Sequence, residues 1–283
     1  MHTVILDGKA LAKRIREEVA CGVREFCSRA QRAPRLVVIL VGSHPPSQIY
    51  VRKKEEAARE VGIEGKVLRL PEETSAASLI SKIHELNTDP TVDGILVQLP
   101  LPKGVDGDAV IAAIDPQKDV DGLTPHNAGA LWTGRKGLRP CTPLGCMALL
   151  EEAKIRLQGK RALVVGRSGL VGKPMAAMLL ERDATVTIAH SQSADLDKLV
   201  GEAEVLIAAA GRPRLIRGEW LRQGAVVIDV GINKTEGTLV GDVDFEGAIG
   251  RAAAITPVPG GVGPMTVAML LRNVLEAAWG RLG

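Results

Sequence analysis

One lysine in this sequence stands apart from the basic residues beside it. Residues 47–62 read SQIYVRKKEEAAREVG, a helical composition. On a helix, side chains three and four positions apart are neighbours. Arg52 can therefore pair with Glu55 or Glu56, and Lys53 with Glu56. Lys54 instead has Tyr50 and Val51 on one side and Ala57 and Ala58 on the other. An ammonium on an apolar face loses hydration, and a desolvated lysine can exchange protons near neutral pH. The plainer reading of the same residues is a lysine that snorkels at the helix edge. Tyr50, the only tyrosine, lies one turn earlier.

Two other places put polar groups where ligands bind. Gln98 interrupts the apolar run 95–99, just before Pro100-Leu101-Pro102. Open parallel sheets take their ligands at the C-terminal ends of strands. Asp119-Val120-Asp121-Gly122 sets two carboxylates two residues apart in a Pro/Gly-rich stretch. Such a pair can hold a cation, recognise a nitrogen-rich heterocycle, or be ordinary loop acids. His126 stands alone and reads as structural.

Residues 162–174, ALVVGRSGLVGKP, read as a strand, a glycine-rich turn and a helix. A helix N-terminus directs free N–H groups and a positive dipole end at an anion. Glycines let a pyrophosphate approach the backbone. Gly166, Gly169 and Gly172 follow GxxGxxG rather than the usual GxGxxG, so a ligand-free turn is the competing reading. About 20 residues on, NAD-binding folds carry an acid that accepts from the ribose 2′-hydroxyl. Here that place reads Ile188-Ala189-His190-Ser191-Gln192, with no carboxylate to repel a 2′-phosphate. Arg167 and Ser191 are suitable phosphate partners, so the residues favour NADP over NAD.

These groups need elements to position them. At roughly 150 residues per domain, 283 residues make about two domains. Strands are predicted at 36–41, 66–70 and 95–99. Helices are predicted at 9–31, at 47–61 with Ser47 as N-cap, and at 75–87. Residues 100–140 read as a structured loop with one short helix near 106–114. A second series follows: a helix at 143–157, strands at 162–165, 185–189, 205–209, 226–230 and 252–255, and a last helix at 264–279. Strand–helix alternation with unbroken apolar strands argues for parallel sheets. The predicted class is α/β, in two domains: an N-terminal α/β/α layer domain and a Rossmann-like NADP-binding domain with a cleft between them. The predicted boundaries are 1–140 and 141–263, with helix 264–283 packing back onto the first domain.

Composition excludes several roles. Lysine and arginine exceed aspartate and glutamate by 36 − 33 = +3, no electrostatic case for nucleic acid or an anionic membrane. Six aromatic residues are too few for a single-strand stacking platform. No apolar run approaches the ~18 residues of a membrane span. Asp7 and Lys9 fall where a signal peptide would need its apolar core. Cys21, Cys27, Cys141 and Cys146 lack metal-ligand spacing and read as reduced thiols, so no metal is expected. The expectation is a soluble cytoplasmic protein.

Taken together, the segments VGSHPPSQIYVRKK, DGILVQLPLP, KDVDGLTPHNAG, RPCTPLG, VVGRSGLVGKP, DVGIN, GDVDF and TPVPGGVGPMTVAMLL resemble the bifunctional methylenetetrahydrofolate dehydrogenase/cyclohydrolase family across nearly the whole chain. The resemblance implies NADP-dependent oxidation of 5,10-methylenetetrahydrofolate to the methenyl cation, then hydrolysis to 10-formyltetrahydrofolate. It implies that Lys54 is the acid/base group, Gln98 holds its ammonium, Tyr50 stacks on the folate and Asp121 binds the pterin. Pro259, Gly260 and Gly261 would close beside the folate. Gly166, Arg167 and Ser168 would hold phosphate, Ser191 the 2′-phosphate side, and Ile232 the nicotinamide side. It also implies tetrahydrofolate derivatives as ligands, a homodimer, and a place in one-carbon supply to purine, methionine and histidine biosynthesis. One departure is Ser193, where family members often carry threonine. The rival readings are a monofunctional dehydrogenase, a different NADP-dependent dehydrogenase on a similar plan, and a non-catalytic NADP- or folate-binding module. Intact Tyr50, Lys54 and Gln98 argue against loss of hydrolysis.

Overall fold

The computed structural model describes residues 2–235 and 237–282. Its first sheet is built from β2 (Arg35–Val41), β3 (Glu64–Leu70) and β4 (Gly94–Val97), in the order β3-β2-β4, all parallel. From Leu36 onward, β2 is buried on both faces, which explains its unbroken apolar run. Val37, Ile39, Val41, Ile95 and Val97 face one core with Leu79 and Ile83 of α3 (Ala76–Thr88). α2 (Pro45–Glu60) follows β2 and buries Val51, Ala57 and Ala58. Because β3 and β4 flank β2 on opposite sides, the topology switches direction between β2 and β4. Open α/β sheets bind ligands at such a switch point, outside the C-terminal strand ends. The Gln98 N–H donates to Ile39 O at 2.9 Å, so Gln98 sits at that point, one residue beyond β4.

The second sheet has six parallel strands in the order β1-β11-β8-β7-β5-β6. They are β1 (Val4–Ile5), β5 (Arg161–Val165), β6 (Thr185–Ala189), β7 (Val205–Ala208), β8 (Val226–Asp229) and β11 (Ala254–Ile255). β6 and β7 flank β5 on opposite sides, so this sheet switches between β5 and β7. α7 (Gly172–Leu180) and α8 (Leu196–Glu202) lead into β6 and β7. A short antiparallel hairpin, β9 (Asn233–Thr235) and β10 (Thr238–Val240), precedes α9 (Phe245–Ala248).

By contacts, one compact unit comprises residues 13–141 and 267–283, the other residues 1–12 and 142–266. α1 (Gly8–Ala30) and α10 (Val262–Gly280) contribute residues to both, and α6 (Cys141–Glu152) opens at the boundary. β1 pairs with β11, so by contacts the segment through Ala12 groups with the six-stranded unit, whereas the sequence reading set residues 1–140 in one domain. Two residues of strand carry too little periodicity to read from sequence. Ser47 is not the N-cap of α2. The helix starts at Pro45, whose missing N–H needs no partner in a first turn. Ser47 is buried and its hydroxyl meets His44 Nδ1 at 2.9 Å. The 100–140 stretch holds two helices, α4 (Gly107–Ala112) and α5 (Pro125–Trp132). The second has a Thr124 N-cap followed by Pro125, a start signal the expectation passed over. Among the described residues, no helix is long and apolar enough to cross a membrane.

Candidate active site

In the three-stranded unit, the Lys54 ammonium donates to Gln98 Oε1 at 3.0 Å. The Gln98 amide is oriented from its other end, where Nε2 donates to Leu99 O at 2.7 Å. A flipped amide would set donor against donor, so the oxygen must face the lysine. Each partner is half-buried. Tyr50, one helical turn before Lys54, is 43% exposed, leaving its ring accessible.

Asp121 is half-buried, and the Cys141 thiol lies against it. Burial first, and the Asp121 charge second, push that thiol well above its usual range, while Lys54 acts in the opposite sense. Cys141 therefore senses both groups, and Lys54, Gln98 and Asp121 belong to one neighbourhood. Asp119 has a different task. It is buried and accepts from the Thr124 N–H at 2.7 Å and Asn127 Nδ2 at 2.9 Å, so it builds the loop. Lys118, also buried, donates to Leu86 O and Asp89 O at 2.8 and 2.7 Å. No cluster of three metal-ligating side chains occurs among the described residues. His126 is exposed on α5.

In the six-stranded unit, the glycine turn sits at the sheet's switch point. Gly166 has φ +128°, and a Cβ there would lie 2.1 Å from Ala209 O at the end of β7. A Cβ on Gly172 would lie 2.1 Å from Gly166 O. Only glycine fits at these two positions of the β5–α7 turn. Ser168 Oγ accepts from the N–H groups of Val171 and Gly172 at 3.2 and 3.4 Å, which leaves its own proton for an anion. Arg167 and Ser191 are exposed beside their strand ends. The Ser193 hydroxyl accepts the His190 N–H at 3.0 Å, a bond that threonine would make equally well. The departure at Ser193 thus leaves this turn intact. A glycine cradle, a guanidinium and free hydroxyls fit a dinucleotide with an added phosphate.

Two buried carboxylates, unremarked in the sequence, tie the loops of this unit together. Asp242 accepts from the N–H groups of Ala210, Gly211 and Arg212 at 2.6, 2.8 and 2.9 Å, and from Asn233 Nδ2 at 2.9 Å. Asp229 accepts from the N–H groups of Gly231, Asp242 and Val243 at 3.0, 2.9 and 2.9 Å. Burial, outweighing these donors and helped by the Asp242 charge, pushes Asp229 up to about 7. Ile232, between the tied residues Gly231 and Asn233, is 48% exposed. The turn at Pro259, Gly260 and Gly261 belongs to this same unit. The Lys9 N–H holds Gly260 O at 3.0 Å, and a Cβ on Gly8 would lie 1.8 Å from Gly261 O. The signal for the two carboxylates was present in GDVDF and DVGIN, but only contacts distant in sequence reveal their role.

A glycine cradle at the switch point of one parallel sheet, and a lysine–amide pair at the switch point of another, define a two-domain NAD(P)-dependent enzyme. Residues 6–121 match the catalytic domain of tetrahydrofolate dehydrogenase/cyclohydrolase, and residues 140–281 match its NAD(P)-binding domain. The chain belongs to the tetrahydrofolate dehydrogenase/cyclohydrolase family. It is 56% identical over 284 residues to the bifunctional protein FolD of Sorangium cellulosum, covering 100% of this chain and 99% of the relative. The bifunctional FolD structure from Campylobacter jejuni superposes with TM-score 0.97 at 46% identity, covering 99% of each chain. The Trypanosoma brucei enzyme, solved with NADP cofactor and inhibitor, superposes with TM-score 0.94 at 41% identity, covering 99% of this chain and 98% of that one.

Proposed function

We propose that Lys54 is the proton-transfer group of the hydrolytic step, that Gln98 orients it, and that Asp121 and Tyr50 hold the folate. The enzyme is a bifunctional methylenetetrahydrofolate dehydrogenase and methenyltetrahydrofolate cyclohydrolase that uses NADP. The observation that carries the assignment of roles is the 3.0 Å bond from Lys54 to Gln98, the one protein acceptor of that ammonium among the described residues.

When bound, NADP supplies the acceptor for the hydride leaving the methylene carbon. The adjacent nitrogens stabilise the cation left behind, so this step asks the protein chiefly for alignment. Asp121 accepts from pterin N–H groups and Tyr50 stacks on the rings. Gly166, Arg167 and Ser168 hold phosphate, Ser191 takes the 2′-phosphate side, and Ile232 lies along the nicotinamide side through its backbone. The Pro259–Gly260–Gly261 turn offers backbone to the folate.

Hydrolysis needs protons moved. Neutral Lys54 takes a proton from the attacking water as its oxygen bonds the methenyl carbon. The resulting ammonium, steadied by Gln98 Oε1, returns a proton to the nitrogen whose bond to that carbon breaks, and the added hydroxyl releases its remaining proton to water as the formyl C=O forms. The product is 10-formyltetrahydrofolate. A permanently charged Lys54 would repel the methenyl cation, so the neutral amine is the form that starts the step. We also read the protein as a cytoplasmic homodimer serving one-carbon supply to purine, methionine and histidine synthesis, as the resemblance implies.

One time course tests the assignment. Purified enzyme is mixed with methylenetetrahydrofolate and NADP, and NADPH and methenyl product are recorded against a no-enzyme control. NADPH formation with enzyme-accelerated loss of methenyl is expected. NADPH with methenyl accumulating at the uncatalysed rate of decay would leave a monofunctional dehydrogenase and remove the role given to Lys54.

A further inference from the structure

α10 contains a buried polar residue that the functional reading has not used. Asn273 is 1% exposed. Its Nδ2 donates to Val120 O at 2.8 Å and to Arg139 O at 2.9 Å, and lies 3.6 Å from the Cys141 sulfur. The Cys141 thiol donates to the same Val120 carbonyl at 3.2 Å. Val120 directly precedes Asp121. Gly122 directly follows it, with φ +68°, and a Cβ there would lie 2.4 Å from the Arg139 carbonyl carbon. The backbones of residues 120–122 and 139–141 thus run against one another, and a single amide spends both its protons joining them.

The neighbouring contacts extend this tie toward the lysine. A Cβ on Gly94 would lie 2.7 Å from Val120 Cγ1 and 3.4 Å from Val274 Cγ2, so Val274 packs where β4 and the Asp121 loop meet. Ile95 N–H donates to Lys118 O at 2.7 Å, fixing the loop to the strand that ends at Gln98. Two carbonyls brought together without a donor would repel and carry an unmet desolvation cost. The amide converts that repulsion into a fixed spacing, from which the Asp121 carboxylate emerges.

We propose that Asn273 is a positioning residue for folate. Its amide sets the place at which Asp121 meets the pterin, although it touches no substrate itself. The proposal rests on the reading of Asp121 as the pterin acceptor, and its test separates the two. Asn273→Ala, Asn273→Ser, Asp121→Asn and the double variant Asn273→Ala/Asp121→Asn are compared as full-length enzymes. Misplacing a binding group by a fraction of an ångström costs binding at that group, here an expected rise of about tenfold in KM for methylenetetrahydrofolate. The same rise is expected for the methenyl substrate, with KM for NADP within about twofold of wild type. Asn273→Ser, which keeps one donor, should fall between, and it carries the same comparisons if the alanine variant does not fold. In the Asp121→Asn background the effect of Asn273→Ala should shrink to about twofold, because coupled residues are not additive. Folate KM unchanged in both Asn273 variants, or KM rising equally for folate and NADP, would overturn the proposal. So would an undiminished Asn273→Ala effect in the Asp121→Asn background. An unchanged folate KM in Asp121→Asn alone would overturn the Asp121 reading, and this proposal with it.

Discussion

Replacing Lys54 with methionine should separate the two activities. Methionine keeps the unbranched apolar stem, and with it most of the packing of a half-buried side chain on α2. What is lost is the ammonium and its bond to Gln98 Oε1 at 3.0 Å. A positioned acid/base group contributes about 10²–10⁴-fold to a proton-transfer step. At about 1.4 kcal/mol per tenfold, that is roughly 3–5 kcal/mol of transition-state stabilisation. Gln98→Leu should lose less. It leaves the amine in place and removes one hydrogen bond to a charged group, worth about 1.5–3 kcal/mol, or roughly 10- to 150-fold. The assay follows disappearance of methenyltetrahydrofolate with the uncatalysed rate subtracted, and NADPH appearance from methylenetetrahydrofolate in parallel. Lys54→Met should abolish measurable hydrolysis while NADPH formation persists, with a melting temperature close to wild type. Hydrolysis at the wild-type rate in Lys54→Met refutes the proton-transfer role. A greater loss in Gln98→Leu than in Lys54→Met refutes the claim that Gln98 acts through the lysine.

The remaining predictions concern the nucleotide unit. Gly166→Ala drives a Cβ to 2.1 Å from Ala209 O, against backbone that cannot rotate aside. It should destabilise by about 1–3 kcal/mol and weaken NADP binding, read by calorimetry and by cofactor titration. Arg167→Gln should raise the Kd for NADP by about tenfold, since a charge-assisted phosphate bond is lost, and an unchanged Kd in cofactor titration would refute the contact. Asp229 is held at about 7, well above the 3.8 of an aspartate in water. The native state therefore holds a proton that the unfolded chain releases, and the contribution of Asp229 to stability declines as pH rises from about 4 to about 7, by up to about 4 kcal/mol. Urea unfolding across that window should show a shallower decline in Asp229→Asn, and an unchanged slope would refute the assignment.

The lysine and the glycine turn were legible for related reasons. Local spacing separates Lys54 from Arg52 and Lys53 on a helix, and a strand–glycine–helix order survives an irregular glycine spacing. Most element positions followed from apolar runs, and the structure adds caps such as Ser75, whose hydroxyl accepts the Ser78 N–H at 3.1 Å. The misreadings also have local causes. Tandem prolines moved the start of α2 ahead of Ser47, and Thr124-Pro125 opened a helix within a stretch dense in loop residues.

Sequence by itself determined the parallel α/β class, the family, and the residue types available for chemistry, because periodicity, caps and glycine turns act over a few residues. Tertiary structure decided which of those residues are bound into the framework. Asp119 and Asp121 are indistinguishable as neighbours in a motif, yet one is consumed by Thr124 and Asn127 while the other stands beside Cys141. Asn273 reaches Val120 across 153 positions, Thr3 reaches Ala252 across 249, and β1 finds its sheet beside β11. No local signal encodes such partners. A buried donor must meet an acceptor wherever the fold brings one, and that meeting exists only once the chain has closed.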